Sequence, residues 1–301
     1  MFVRVIVLCI DGLEARLVER WGLKGFMQRE WGVHDVLVVS GSTDRLYTPL
    51  VWGAFLLGED PSKYGFGFDR IREERLRAAY GVFYPLYRLR VALFGKRKLG
   101  LKRIAERLGI FSVERVKKRI GAIERLPEEA LGRTFIAEAE RLGFKVWVRE
   151  FPSLNDIKVA ELRAEVHTYF SKGFSERVRV VEEVYRFSVG LLDEALRAAK
   201  DCDLVLYYTP VIDYANHMFY RPGKLKCMVK LASYYRRVCR LVERVSGKFS
   251  DSAVLVVSDH GYDPRVHEHS GYGFWSSNVV LDEKPRTILD FRDVILGLLK
   301  R

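Results

Sequence analysis

Three apolar runs in this 301-residue chain each end in an aspartate, and no other pattern constrains the fold as tightly. VRVIVLCID ends at Asp11, DLVLYYTPVID at Asp213, and AVLVVSD at Asp259. Continuous apolar runs mark parallel strands covered on both faces by helices. Ligands of open α/β sheets bind beyond the carboxyl ends of such strands. An aspartate after one strand is commonly a helix cap, but three in the same position exceed what packing requires. With them go Thr48, His217, His260 and either His267 or His269. Aspartate, imidazole and hydroxyl oxygen suit zinc, manganese or ferrous iron, and the absence of sulfur ligands speaks for a catalytic metal over a structural one.

At 49% apolar and 13% aromatic residues the chain can bury a large core, and strands alternating with helical patterns predict an α/β fold. Strands are expected at about 3–10, 33–39, 144–152, 203–209 and 253–258, and helices near 175–200 and 224–246. A loop is read at 41–43. Pro49 suits the first turn of a helix, which puts Thr48 at a helix N-terminus, where free N–H groups favour an alkoxide or a phosphate. Cys9, Cys202, Cys227 and Cys239 lie in apolar or helical stretches with no zinc-ribbon spacing, so reduced cysteines and a cytoplasmic location are expected. Neither a signal peptide nor a transmembrane helix is read.

From Asp69 to Arg133 the pattern turns helical and basic. This stretch holds 18 Lys plus Arg against 8 Asp plus Glu, a net of +10, where the whole chain carries +12. The expected organisation is therefore a core formed by residues 1–68 and 141–301, with 69–140 inserted as a basic helical cap. Such a cap could steer an anionic substrate, present a plain solvated face, or use YGVFYPLYRLRVALFGKRKLGLKRI at 80–104 on an anionic membrane surface or a nucleic acid.

The spacings fit metal chemistry. Asp213 and His217, four apart, share one face if a helix begins there. Asp259 and His260 are adjacent and converge only where the strand gives way to a turn, which Gly261 is expected to supply. Two cations so held would polarise a phosphoryl group and activate a hydroxyl such as that of Thr48.

These residues carry a resemblance. Asp11-Gly12, TPLVWGAFLLGEDPSKYGF from Thr48, DYANH at 213–217, SDHG at 258–261 and HSGYGFWSSN at 269–278 resemble the motifs of the alkaline phosphatase superfamily, and within it the type I phosphodiesterase and nucleotide pyrophosphatase branch. The resemblance implies a three-layer core with a mostly parallel central sheet. It implies one metal on Asp11, Thr48, Asp259 and His260 and a second on Asp213, His217 and His269, the histidine that directly precedes SGYGFWS. The pair would be zinc, with manganese or iron as alternatives. It also implies a covalent phosphothreonine at Thr48 that water hydrolyses. The implied activity is that of a phosphodiesterase on an anionic phosphoester.

Departures bear on specificity. Leu57-Gly58 stands where the branch often has Thr-Gly, Tyr64 where it often has His, and Asn216 where Gly commonly precedes the histidine. GFGFDR at 65–70 lacks the asparagine with which nucleotide pyrophosphatases hold a phosphoryl oxygen. Thr48 cannot become the aldehyde a sulfatase needs. Rival readings are a phosphonate hydrolase, phosphomonoesterase or phosphomutase on the same scaffold, and a membrane- or nucleic-acid-binding protein with a vestigial metal site.

Overall fold

The computed structural model describes residues 4–39, 46–95, 105 and 107–301. The loop expected at 41–43 and residues 96–104 of the basic stretch lie outside them. The sheet is built from β1 (Val5–Ile10), β2 (Glu30–Asp35), β3 (Val146–Val148), β4 (Leu204–Thr209), β5 (Ala253–Val257) and β8 (Tyr272–Ser277), in the order β2-β8-β5-β1-β4-β3. Strands β5, β1, β4 and β3 pair in parallel, and β8 runs antiparallel to both its neighbours. A separate hairpin joins β6 (Gly261–Asp263) to β7 (Glu268–Ser270).

Every residue of β1, β4 and β5 is buried. Their side chains alternate between two cores, as the strand's period of two requires. Ile6, Leu8 and Ile10 enter one core, with helices α1 (Ala15–Arg20), α10 (Phe174–Ala198), α11 (Val211–Phe219) and α12 (Leu225–Lys248). Val5, Val7 and Cys9 enter the other, with α2 (Thr48–Leu57), α8 (Phe135–Arg141) and α13 (Phe291–Leu299). The result is a three-layer α/β fold around a mostly parallel sheet.

Between these layers' first and later helices come α3 (Phe68–Tyr80), α4 (Tyr84–Phe94), α5 (Val113–Lys117), α6 (Ile120–Ile123) and α7 (Glu128–Leu131), with α9 (Lys158–Val166) after β3. Helix α2 reads TPLVWGAFLL and is buried on every side, which is why it shows no polar face. Gly58 ends it in the left-handed conformation at φ +68°.

Two strand expectations need correction. The second strand spans 30–35 and not 33–39: the Asp35 carboxylate accepts the Leu37 N–H at 2.8 Å and turns the chain, so the apolar run after it leaves the sheet. The strand expected over 144–152 is confined to 146–148, because Glu150 and Ser153 adopt positive φ and the chain turns there. Strands β6 to β8 were not anticipated; Gly and Ser interrupt the apolar pattern of β8.

Candidate metal centre

The three apolar runs that end in aspartates supply neighbouring strands, with β1 between β5 and β4, although the run to Asp213 leaves the sheet at Thr209. Asp11 directly follows β1, Asp259 is the second residue after β5, and Asp213 sits in the first turn of the helix after β4. All three are buried, as are His260 and Thr48. Their atoms form two groups that share an imidazole, Asp11 with Asp259 and His260, and Asp213 with His260 and His269. His260 Nε2 lies 3.2 Å from Asp11 Oδ1 and 3.3 Å from Asp259 Oδ2. On the other side His217 Nε2 is 3.3 Å from Asp213 Oδ1 and 3.0 Å from His269 Nε2, which is 3.5 Å from the same carboxylate oxygen. The His260 and His269 rings stack at 3.6 Å. His267 turns away into solvent at φ +58°, with its Nδ1 3.3 Å from an Arg221 nitrogen.

The donor set fits divalent cations. Asp11 Oδ1, Asp213 Oδ1, Asp259 Oδ2 and His260 Nε2 are all buried without a hydrogen-bond partner. Orphaned buried acceptors cost about 1–3 kcal/mol each. His260 Nδ1 lies 3.0 Å from the Gly261 carbonyl and His269 Nδ1 3.2 Å from the Leu46 carbonyl. Those bonds place the proton on Nδ1 and leave each Nε2 lone pair facing the cluster, the usual support of a metal-binding histidine. Burial and the adjoining Asp11 carboxylate push the Asp259 carboxyl well above its usual range. Burial also opposes ionisation of Asp213, but His217 and His269 outweigh it and hold that carboxyl well below its usual range. A dication would relieve the first pair and replace the protons shared in the second.

Thr48 opens α2, with Pro49 next to it and no side-chain cap from Tyr47. The segment is tied to the cluster on two sides. Leu46 receives the His269 hydrogen bond, and Trp52 packs edge-on against Tyr208 at 5.7 Å, whose hydroxyl donates to Asp11 Oδ2.

Several supporting residues escaped the sequence reading. Buried Glu14 accepts the Tyr262 N–H at 2.8 Å and the Tyr272 hydroxyl at 2.6 Å, pinning the strand that follows His260. Gly261 opens β6 and does not turn in the left-handed region, contrary to expectation; a Cβ there would lie 2.4 Å from Glu14 Oε2, so the site needs its small size. The Ser258 hydroxyl donates to the His260 carbonyl at 2.7 Å and accepts the Leu13 N–H at 2.8 Å. Asn216, the departure from the family's glycine, donates to the Gly12 carbonyl at 2.6 Å and accepts from Tyr235 at 3.1 Å. Gly12 itself has φ +71°, and a Cβ on it would lie 2.8 Å from Asp213 Cα. Beside Thr48, the Tyr47 hydroxyl and Arg75 both donate to fully buried Glu124, which also takes two bonds from Arg163. Arg163 bonds Asp156 at 2.7 Å. Glu14 and Glu124 carry no motif; as acids next to apolar residues they were the available signal.

The family model for type I phosphodiesterase / nucleotide pyrophosphatase matches residues 127–283, just over half of the chain. A search of the curated proteins gave no match. Among solved structures, the PH0037 protein from Pyrococcus horikoshii is similar at 13% identity and a TM-score of 0.47, over 100% of this chain and 98% of that one. The alkaline phosphatase from the Antarctic bacterium TAB5 is similar at 11% identity and a TM-score of 0.46, over 100% and 99% of the two chains. On the family match, the chain belongs to the type I phosphodiesterase and nucleotide pyrophosphatase family of the alkaline phosphatase superfamily, whose members are metal-dependent phosphoester hydrolases.

Proposed function

We propose that the protein is a phosphodiesterase that works through a covalent phosphothreonine at Thr48. The observation that carries this is the convergence of four orphaned buried ligand atoms, from three neighbouring strand ends, beside the helix that Thr48 opens. Asp11, Thr48, Asp259 and His260 would hold one divalent cation and Asp213, His217 and His269 a second, zinc by preference, with manganese or iron as alternatives. Bound there, the cations would supply Lewis-acid polarisation of the phosphoryl group and acidify the threonine hydroxyl.

The chain's own residues account for the rest. Thr48 sits at the positive end of the α2 dipole, which favours negative charge on its oxygen, although Pro49 has no N–H and the Leu50 and Val51 N–H groups bond the Tyr47 carbonyl. That oxygen attacks phosphorus, and the P–O bond to one alcohol breaks, the alcohol leaving with the electron pair and gaining a proton. Water then attacks the phosphothreonine, releasing a phosphomonoester and restoring the Thr48 hydroxyl. Asn216 and Tyr208 fix Gly12 and Asp11, so the ligand geometry is set before substrate arrives. Residues 69–140 act as a basic cap that concentrates an anionic phosphoester, anchored in the core by Ile71 and Ala78 of α3, Ile123, Leu126 and Ala130, and by α8 at its end. The four free cysteines support a cytoplasmic setting.

The test compares hydrolysis of bis-p-nitrophenyl phosphate and p-nitrophenyl phosphate by metal-stripped and by zinc- or manganese-loaded protein, with Thr48→Ala as control. Faster metal-dependent cleavage of the diester that vanishes in T48A is the expected result. Preference for the monoester would favour a phosphomonoesterase, and no turnover of either with any metal would overturn the hydrolase reading of this site.

A further inference from the structure

The start of α2 is gripped on both sides of Thr48. On one side is Tyr47, whose hydroxyl donates to Glu124 Oε1, and Arg75 of α3 donates both to that carboxylate oxygen and to the Tyr47 hydroxyl. The Tyr47 ring packs edge-on against Phe68 at 5.9 Å, with the Arg75 guanidinium 5.2 Å above its centre. The second Glu124 oxygen, Oε2, takes the fork of Arg163 from α9 at 2.9 and 2.5 Å, and Arg163 is tied in turn to Asp156 at 2.7 Å. On the other side is Pro49, whose ring fixes its φ and whose carbonyl accepts the Ser153 hydroxyl. Ser153 is buried, and its own carbonyl accepts the Leu126 N–H at 2.9 Å, two residues after Glu124. The contacts close a ring that runs from Glu124 through Tyr47, Thr48, Pro49 and Ser153 to Leu126.

Two features show that the ring is imposed on the chain. Ser153 holds φ +65°, a left-handed conformation that a residue with a Cβ keeps only where its surroundings dictate it, and such residues cluster at functional sites. Gly121, three residues before Glu124, lets α6 press against the loop that carries Asp156: a Cβ there would lie 2.6 Å from the Asp156 carbonyl. Well-packed apolar residues would serve stability as well as a buried ion pair does, so three charged partners on one carboxylate point to a fixed arrangement. We propose that Glu124 and Ser153 are positioning residues: acting through Tyr47 and Pro49, they hold the Thr48 backbone so that its hydroxyl meets phosphorus in line. Residues 69–140, which contribute Glu124 and Arg75, then set the nucleophile as well as gathering substrate. This rests on Thr48 as the nucleophile. A displacement of about 1 Å can cost on the order of 100-fold in rate even when the altered residue lies away from the chemistry.

Tyr47→Phe and Ser153→Ala each remove one neutral hydroxyl from the ring and leave the Glu124 ion pairs in place. Zinc-loaded protein is assayed on bis-p-nitrophenyl phosphate for kcat and KM, with thermal unfolding by circular dichroism. Orthovanadate affinity is measured by calorimetry, because its five-coordinate form bonds the attacking oxygen. Glu138→Gln is the structural control: it loosens Arg292, which holds the Leu57 carbonyl at the far end of α2. The expected result is a fall in kcat of about tenfold or more in each hydroxyl variant, with KM within about twofold of the parent and vanadate bound more weakly. Glu138→Gln should keep its kcat whatever it loses in Tm. An unchanged kcat or vanadate affinity in either folded variant, while Thr48→Ala is inactive, overturns this proposal alone, as does an equal fall in kcat in Glu138→Gln. Turnover that survives in Thr48→Ala overturns the nucleophile reading, and the proposal with it. Should one hydroxyl variant misfold, the other carries the same test.

Discussion

Glu124→Gln removes the one carboxylate that holds two arginines and a tyrosine beneath the start of α2. Glu124 is fully buried; Arg75, Arg163 and Tyr47 all donate to it. Burial raises its carboxyl pKa, but Arg163, Arg75 and the Tyr47 bond more than reverse this, and the net shift is downward. Breaking a buried ion pair by neutralising one partner costs about 3–5 kcal/mol. The lower end applies here for two reasons. Arg75 is one-third exposed, so water screens its loss. Arg163 keeps Asp156, whose pKa is raised to about 6 by burial and, in part, by the Glu124 charge that the substitution removes. With an unfolding entropy of roughly 2.1 cal/mol/K per residue, 301 residues give about 0.6 kcal/mol/K, so 3 kcal/mol lowers Tm by about 5 °C. Thermal unfolding followed by circular dichroism at pH 7.5 measures this, with Glu128→Gln as control, since Glu128 is exposed and, among the described residues, its ion pair is with exposed Arg125. A shift below about 1 °C in E124Q would refute the claim that this cluster is held by its charge.

His34 is fully buried beside the Ser258 carbonyl at 2.9 Å, and burial lowers its pKa to about 4. A depressed histidine supports the fold above pH 6.5 and withdraws that support as the pH falls towards 4, a loss on the order of 3 kcal/mol; urea unfolding across that window should be markedly flatter in His34→Gln. Gly12→Ala should cost at least about 1–3 kcal/mol from its left-handed backbone alone, and because the new methyl would strike Asp213, zinc affinity measured by calorimetry should fall further than stability does. Zinc or manganese at a hundredfold excess over its Kd should stabilise the protein by about 2.7 kcal/mol, and chelation should remove that increment from Tm. Cation binding should also release protons, read in two buffers of different ionisation enthalpy, because Asp259 and His269 both have raised pKa values in the free protein.

The buried strands and their trailing aspartates were legible because one physical demand wrote both: a strand buried on two faces excludes polar residues until it ends. DYANH was legible because helix spacing converts four residues into one face. Strand β8 was not, since GYGFWSS mixes glycine and serine into a strand that needs Gly273 for room, where a Cβ would lie 2.1 Å from the Ser258 carbonyl. Glu14, Tyr208 and Asn216 were equally silent, because each bonds a residue nearly two hundred or more positions away, and nothing local to the sequence encodes that distance. The second strand was misjudged for the opposite reason: Leu37, Val38 and Val39 satisfy a strand pattern, and only the Asp35 turn removes them.

The position of β1 decides which parts of the chain can be exchanged. It lies between β4 and β5, hydrogen-bonded to both, while the chain leaves the sheet after β2 at one edge, runs through α2 to α8, and returns at β3 at the other. A protease that cut between α3 and α5 would therefore leave the N-terminal fragment clamped at the centre of the sheet by the C-terminal one. Lengthening or replacing the stretch between α3 and α5 alters no strand register and leaves in place both α2, which Thr48 opens, and the strand ends near Asp11, Asp213 and Asp259.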